Sequence, residues 1–123
     1  MAPRFRSDRV TAAPSAGTRL CALADIPDPG AKGFDFRDGD ERFAGFVVRK
    51  DGALFGYVDS CPHAGWPLAM FDRYLTREKD LILCGGHGAL FRIQDGRCLA
   101  GPCADDHLQP WPVRIDGEDV VVA

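Results

Sequence analysis

The sequence predicts an all-β protein, an antiparallel sandwich or barrel of short strands. Short β-prone runs recur at regular spacing and are separated by turn residues. Two of the turns, Asp51-Gly52 and Asp95-Gly96, are dipeptides that favour hairpins. No segment sustains the apolar i, i+3, i+4 spacing of a long amphipathic helix. Fourteen Gly and nine Pro in 123 residues fit a chain of many turns and short elements.

Taken in order, TRLCALADI (residues 18–26) reads as the first strand. PDPGAKGFDFRDGDER (27–42) reads as a turn-rich, acidic connection. FAGFVVR (43–49) and ALFGYVD (53–59) flank Lys50-Asp51-Gly52 as a hairpin. DRYLTREKD (72–80) is polar and reads as a helical turn or a loop. LIL (81–83) is a short strand, and GALFRI (88–93) and RCLA (97–100) form a second hairpin around Asp95-Gly96. GPCADDHLQPWP (101–112) is an irregular loop, and VRID (113–116) and DVVVA (119–123) close the chain as two strands about Gly117.

The length gives one domain, and the apolar fraction with eight Phe supplies its core. A disordered tail over residues 1–17 and a single domain over 18–123 are expected. The alternative for the tail is a docking arm that orders on a partner. A net charge of −3 argues against nucleic acid, whose binding needs a positive surface. No stretch approaches the roughly 20 apolar residues of a membrane span. The N-terminus lacks the apolar region of a secretory signal, and Arg4 and Arg6 are not adjacent, so a cytoplasmic location is expected. Five Cys is an odd number, and without a signal peptide it does not suggest a disulfide framework.

Two of those cysteines sit beside two of the three histidines. Cys61 and His63 flank Pro62 in CPHAGWPLAMF, and Cys84 and His87 bracket two glycines in CGGHGALF. Gly65 follows the first pair, and Gly85, Gly86 and Gly88 surround the second. Glycine permits φ > 0 and lets backbone N–H groups crowd an anion such as sulfide. Two metal readings compete with the bland one, in which these are ordinary buried residues. One is a closed tetrahedral zinc bound by two cysteines and two histidines. The other is a [2Fe–2S] cluster with both cysteines on one iron and both histidines on the other. Zinc fingers pair like with like along the chain, whereas here each turn supplies one cysteine and one histidine.

The pattern Cys-x-His followed by Cys-x-x-His resembles the Rieske iron–sulfur signature. CPHAGWPL is similar to the family's first cluster-binding loop, including its Gly-x-Pro-Leu run. CGGHGALFRIQDGRCLAGPC resembles the second loop, its following hairpin and the Gly-Pro loop that covers the cluster. LQPWPVRIDGEDVVV is similar to the closing strand pair. The resemblance spans about residues 18–123. It implies the Rieske fold, an antiparallel β-sandwich or barrel with an inserted two-loop cluster-binding subdomain over about residues 60–104. It implies one Rieske-type [2Fe–2S] cluster, with Cys61 and Cys84 on the inner iron and His63 and His87 on the outer. Leu68, Gly101 and Pro102 would shield the cluster. Twenty residues separate His63 from Cys84, a few more than is common in the family, and the excess falls in FDRYLTREKD, where insertions cost little.

The same resemblance marks two absences. Rieske proteins of respiratory complexes link their two loops by a disulfide, and the matching positions here are Trp66 and Gly86. High-potential members place a serine and a tyrosine after the second loop, where this chain has Ala89 and Phe91. Of the remaining candidates, His107 reads as a solvated loop residue, Cys21 as a small core residue and Trp66 and Trp111 as packing residues, although an aromatic near the cluster could also line a docking face. Cys98 and Cys103 flank the covering loop, where free thiols are expected in a reducing compartment.

A Rieske cluster carries one electron and has no open coordination site, so it catalyses nothing alone. The oxygenases that use one add a mononuclear iron held by two histidines and a carboxylate, and only His107 remains here. The function expected is a small ferredoxin, a monomer that carries one electron from a reductase to an oxygenase or other redox protein. Asp105 and Asp106 by the covering loop would suit a positively charged partner, or are simply solvated. The alternatives are a permanent small subunit of a larger oxidoreductase, as in nitrite reductases, and a redox-sensing interaction module.

Overall fold

The computed structural model describes residues 13–60, 74–84, 89–101 and 106–123. Among them are nine strands: β1 (Arg19–Ala22), β2 (Gly30–Asp38), β3 (Glu41–Lys50), β4 (Ala53–Val58), β5 (Leu81–Cys84), β6 (Ala89–Arg92), β7 (Cys98–Ala100), β8 (Val113–Asp116) and β9 (Asp119–Val122). They pair antiparallel in three three-stranded sheets, ordered β1-β9-β8, β2-β3-β4 and β5-β6-β7. The run expected as one strand over 18–26 ends at Ala22 and continues as a 3₁₀ turn over Leu23–Asp25. The N-terminal tail expected over 1–17 lies outside the described residues up to residue 12; at its end the Gly17 amide donates to the Val122 carbonyl.

The middle sheet separates two cores. Phe46 and Val48 of β3 and Tyr57 of β4 point to one side, where they meet Ile82, Cys84, Ala89, Phe91, Ile93 and Leu108. Val47, between Phe46 and Val48, points to the other, where it meets Cys21, Ile26, Trp111, Val120 and Val122. Phe46, Val47 and Val48 are all fully buried. A continuous apolar run in a strand covered on both faces follows from the two-residue alternation of side chains.

Residues 27–42 are not a connection. Most of them form β2, a nine-residue edge strand paired along its length with β3. Its glycines and aspartates are strand-poor residues, but Phe34 and Phe36 alternate with Asp35 and Arg37 and turn onto the second core. There Trp111 meets Phe34, Phe36 and Phe43 edge-on, with ring centroids 6.0, 6.4 and 5.1 Å apart. It fits because Gly45 carries no side chain: a Cβ there would lie 2.5 Å from the indole Cε3.

One buried hydrogen bond joins the middle sheet to the β5-β6-β7 end of the molecule. The Tyr57 hydroxyl donates to the Ile93 carbonyl at 2.5 Å, and burial pushes the phenol up to about 12. Tyr57→Phe leaves that carbonyl buried without its partner, and is expected to cost about 1–3 kcal/mol in urea unfolding. In the β6–β7 turn the Arg92 guanidinium forks onto Asp95, and the Arg97 amide donates to the same carboxylate at 3.1 Å. The Arg92 hydrogen bonds, then the Arg97 amide, hold the Asp95 carboxyl down to about 2. A carboxyl lowered on folding adds stability above its unfolded value of about 4, and that stability is lost as pH falls from there toward the folded value. Asp95→Asn should therefore shallow the loss of stability between about pH 4 and pH 2, read from unfolding midpoints across that window.

Candidate metal centre

Cys84 is the last residue of β5 and Ala89 the first of β6, and the two are register partners. Both are fully buried. Residues 85–88 connect them and lie outside the described residues, as do 61–73 and 102–105. Of the residues expected at the site, the structure therefore places Cys84, Ala89, Phe91 and Gly101. Cys61, His63, His87, Leu68 and Pro102 lie outside the described set. Among the described residues no group of three or more His, Cys, Asp or Glu gathers as a metal site.

The alternation along β5 and β6 puts Ile82 and Cys84 on one face with Ala89 and Phe91, the face that enters the first core. Phe91 is opposite Ile82 on one side and Cys98 on the other. Cys84 thus presents its sulfur from a buried, apolar floor. Gly101 ends the strand pair with φ +107°, a conformation that L side chains rarely adopt. A Cβ there would come within 2.8 Å of the Ala89 Cα, so the start of the covering segment lies directly against the Cys84–Ala89 pair. Cys98 is buried in β7 and its sulfur approaches the Ala100 carbonyl at 3.3 Å; Cys103 lies outside the described residues.

His107 is exposed and bridges Arg97 through its backbone, and among the described residues it belongs to no group that could hold a metal ion. Cys21 is a buried thiol of the second core, and burial pushes its pKa up. Trp111 packs in that core as described above, while Trp66 lies outside the described residues.

Residues that the sequence did not single out form the neck of the first loop. Asp59 stands just before residues 61–73 and Tyr74 just after, and the Tyr74 hydroxyl donates to the Asp59 carboxylate at 3.2 Å. Of the stretch expected to be a helical turn or loop, residues 74–76 run extended beside β5, with Leu75 bridged to Ile82 and the Thr76 amide donating to the Leu81 carbonyl. Residues 77–80 form a turn in which the Lys79 amide donates to the Thr76 carbonyl, and residues 72 and 73 lie outside the described residues. An aromatic residue and a leucine within an otherwise charged stretch were the available signal.

Residues 18–121 match the model of the Rieske [2Fe-2S] domain. The biphenyl dioxygenase ferredoxin subunit of Pseudomonas sp. (strain KKS102) is 30% identical over 105 residues, 85% of this chain and 89% of that protein. The ferredoxin of carbazole 1,9a-dioxygenase from Nocardioides aromaticivorans IC177 superposes with a TM-score of 0.68 at 28% identity, over 89% of this chain and 98% of that one. A chain from the complex of reduced oxygenase and oxidized ferredoxin in carbazole 1,9a-dioxygenase does so with a TM-score of 0.66 at 26% identity, over 85% of this chain and 99% of that one. The described residues fit such a cluster, with a buried sulfur donor at a strand end and glycine backbone lying against the Cys84–Ala89 pair, and the sequence between that pair is rich in glycine.

Proposed function

The chain belongs to the Rieske [2Fe-2S] domain family, and from that premise we propose that it is a small ferredoxin that takes one electron from a reductase and passes it to an oxygenase. The observation that carries this is the span of the likeness: it runs over 89% of a dioxygenase ferredoxin subunit and 98% of a solved dioxygenase ferredoxin. When bound, a [2Fe–2S] cluster held by two thiolates and two imidazoles accepts and returns a single electron.

Cys61 and Cys84 would hold the inner iron, with Cys84 supplying its thiolate from the core floor. His63 and His87 would hold the outer iron and Leu68, Gly101 and Pro102 would exclude water. Gly101 supports its part by lying against Ala89. Among the described residues no helix is long and apolar enough to cross a membrane. A cytoplasmic setting fits the odd number of cysteines, which suggests no disulfide framework.

The test is a coupled reduction. A nicotinamide-linked reductase should bleach the protein's visible absorbance, and an added oxygenase of the aromatic-ring type should restore it as product forms. Size-exclusion of cell extract should place the protein near its own mass of 13.4 kDa. Elution only within a large stable assembly would overturn the free carrier in favour of a fixed subunit.

A further inference from the structure

We propose that Tyr74, Asp59 and Gly33 form a clasp at the neck of the first loop, which fixes where that loop stands relative to the strand that delivers Cys84. The inference rests on the reading of residues 61–63 and 84–87 as cluster ligands.

Four observations meet at Tyr74. Its hydroxyl donates to Asp59, two residues before Cys61, so the bond spans both ends of the segment that carries the first ligand pair. Its ring stacks on Phe46, with centroids 4.6 Å apart and planes 16° from parallel. Its carbonyl accepts from the Leu83 amide at 2.9 Å, one residue before Cys84. Its hydroxyl occupies a notch over β2 that exists because residue 33 is glycine: a Cβ there would collide with the Tyr74 oxygen. Gly33 is the register partner of Phe46, so the ring lies across the β2–β3 pair, on the large side chain and over the missing one.

One residue therefore ties the exit of the first loop to its entrance, to the middle sheet and to β5. Ligands from two separate loops must hold their mutual geometry to keep a cluster, and supporting contacts outside the ligand set do this in metal sites generally. Tyr74 acts as a positioning residue, through the loop ends and the strand that carry the ligands.

The test uses the cluster-bearing full chain and four variants: Tyr74→Phe, Asp59→Asn, Asp59→Ala and Gly33→Ala. Tyr74→Phe removes the donor, Asp59→Asn keeps an acceptor, and Gly33→Ala displaces the hydroxyl while leaving both partners in place. The readouts are the rate of absorbance loss to a chelator, well below the melting temperature, and the electron paramagnetic resonance spectrum of the reduced protein. Tyr74→Phe and Asp59→Ala should speed the loss about fivefold, the factor that one hydrogen bond of typical strength corresponds to. Gly33→Ala should speed it too, and Asp59→Asn should stay near wild type. The g-values of Tyr74→Phe, Asp59→Ala and Gly33→Ala should move together. Tyr57→Phe, which removes a buried hydrogen bond from the same core but not from the neck, should lower the melting temperature and leave the spectrum unchanged.

A cluster-bearing wild type whose Tyr74→Phe and Gly33→Ala variants match it in loss rate and spectrum would overturn the clasp alone. Spectral changes as large in Tyr57→Phe would do the same. A wild type that holds no [2Fe–2S] cluster would overturn the ligand reading and the clasp with it.

Discussion

Cys84→Ala is expected to give a folded, colourless protein, while the wild type should be red-brown and hold about two irons and two sulfides per chain. Cys84 lies fully buried at the end of β5. Loss of one sulfur atom from the core removes little apolar volume, and the surrounding packing of Ile82, Ala89 and Phe91 remains. The stability cost should be near the small end of core truncations, about 1 kcal/mol. The effect on the cluster should be total, because Cys84 is the proposed thiolate ligand to the inner iron and alanine offers no donor atom in its place. Iron and sulfide analysis together with the visible spectrum makes the check, and circular dichroism confirms the fold. His107→Ala serves as the control and should keep the wild-type spectrum. Stoichiometric zinc with no visible absorbance in anaerobically purified wild type would remove both the cluster and the electron-carrier reading.

The reduction potential should fall near the low end of the Rieske range, at roughly −150 mV. Hydrogen bonds donated to the cluster sulfurs stabilise the added electron and raise the potential. At the two positions that carry hydroxyls in high-potential members, this chain has Ala89 and Phe91. Ala89 faces Cys84 directly across the β5–β6 pair, and Phe91 follows on the same face. A hydroxyl at either position would thus project from the floor that carries the cysteine sulfur. Ala89→Ser and Phe91→Tyr should each raise the potential, measured by protein-film voltammetry. The shift in Ala89→Ser is constrained by Gly101, whose backbone lies against residue 89. A wild-type value above about +100 mV would show that other donors dominate, and would fit quinol oxidation rather than acceptance from a nicotinamide-linked reductase.

Much of this architecture was legible in the sequence because local chemistry and tertiary demand agreed. Asp51 and Gly52 both take positive φ, 54° and 81°, in the hairpin turn that an Asp-Gly pair favours, and β3 and β4 follow on either side. The closing strands were equally plain, since Gly117 takes φ 63° between two β-prone runs. β2 was hidden because its composition answers to distant neighbours. Gly33 makes room for Tyr74, forty-one positions along the chain, and Gly30 lies against Pro27, where a Cβ would come 2.9 Å from the proline Cβ. Such glycines look like loop residues until the side chains that fill their places are known.

The site divides in the same way. A Cys-x-His and a Cys-x-x-His can be read locally, since the ligand types and glycine-rich surroundings lie within a few residues. The Tyr74–Asp59 bond cannot, because its partners are 15 positions apart and neither residue type is unusual where it stands. Trp111 needs two glycines at once: Gly45 opens room for its ring, and a Cβ at position 56 would collide with its carbonyl oxygen.

The burial of β3 on both sides has a consequence for how the protein can change over time. Neighbouring positions on one strand answer to separate constituencies: Phe46 and Val48 to the redox end, Val47 to the base around Trp111. A substitution at Val47 disturbs the base and meets the cysteine floor only through backbone, whereas one at Val48 does the reverse. Drift in the lower half can accumulate without retuning the electron carrier, and adaptation to a new redox partner can proceed without reopening the base. The partition between the two sets of side chains is one polypeptide strand thick.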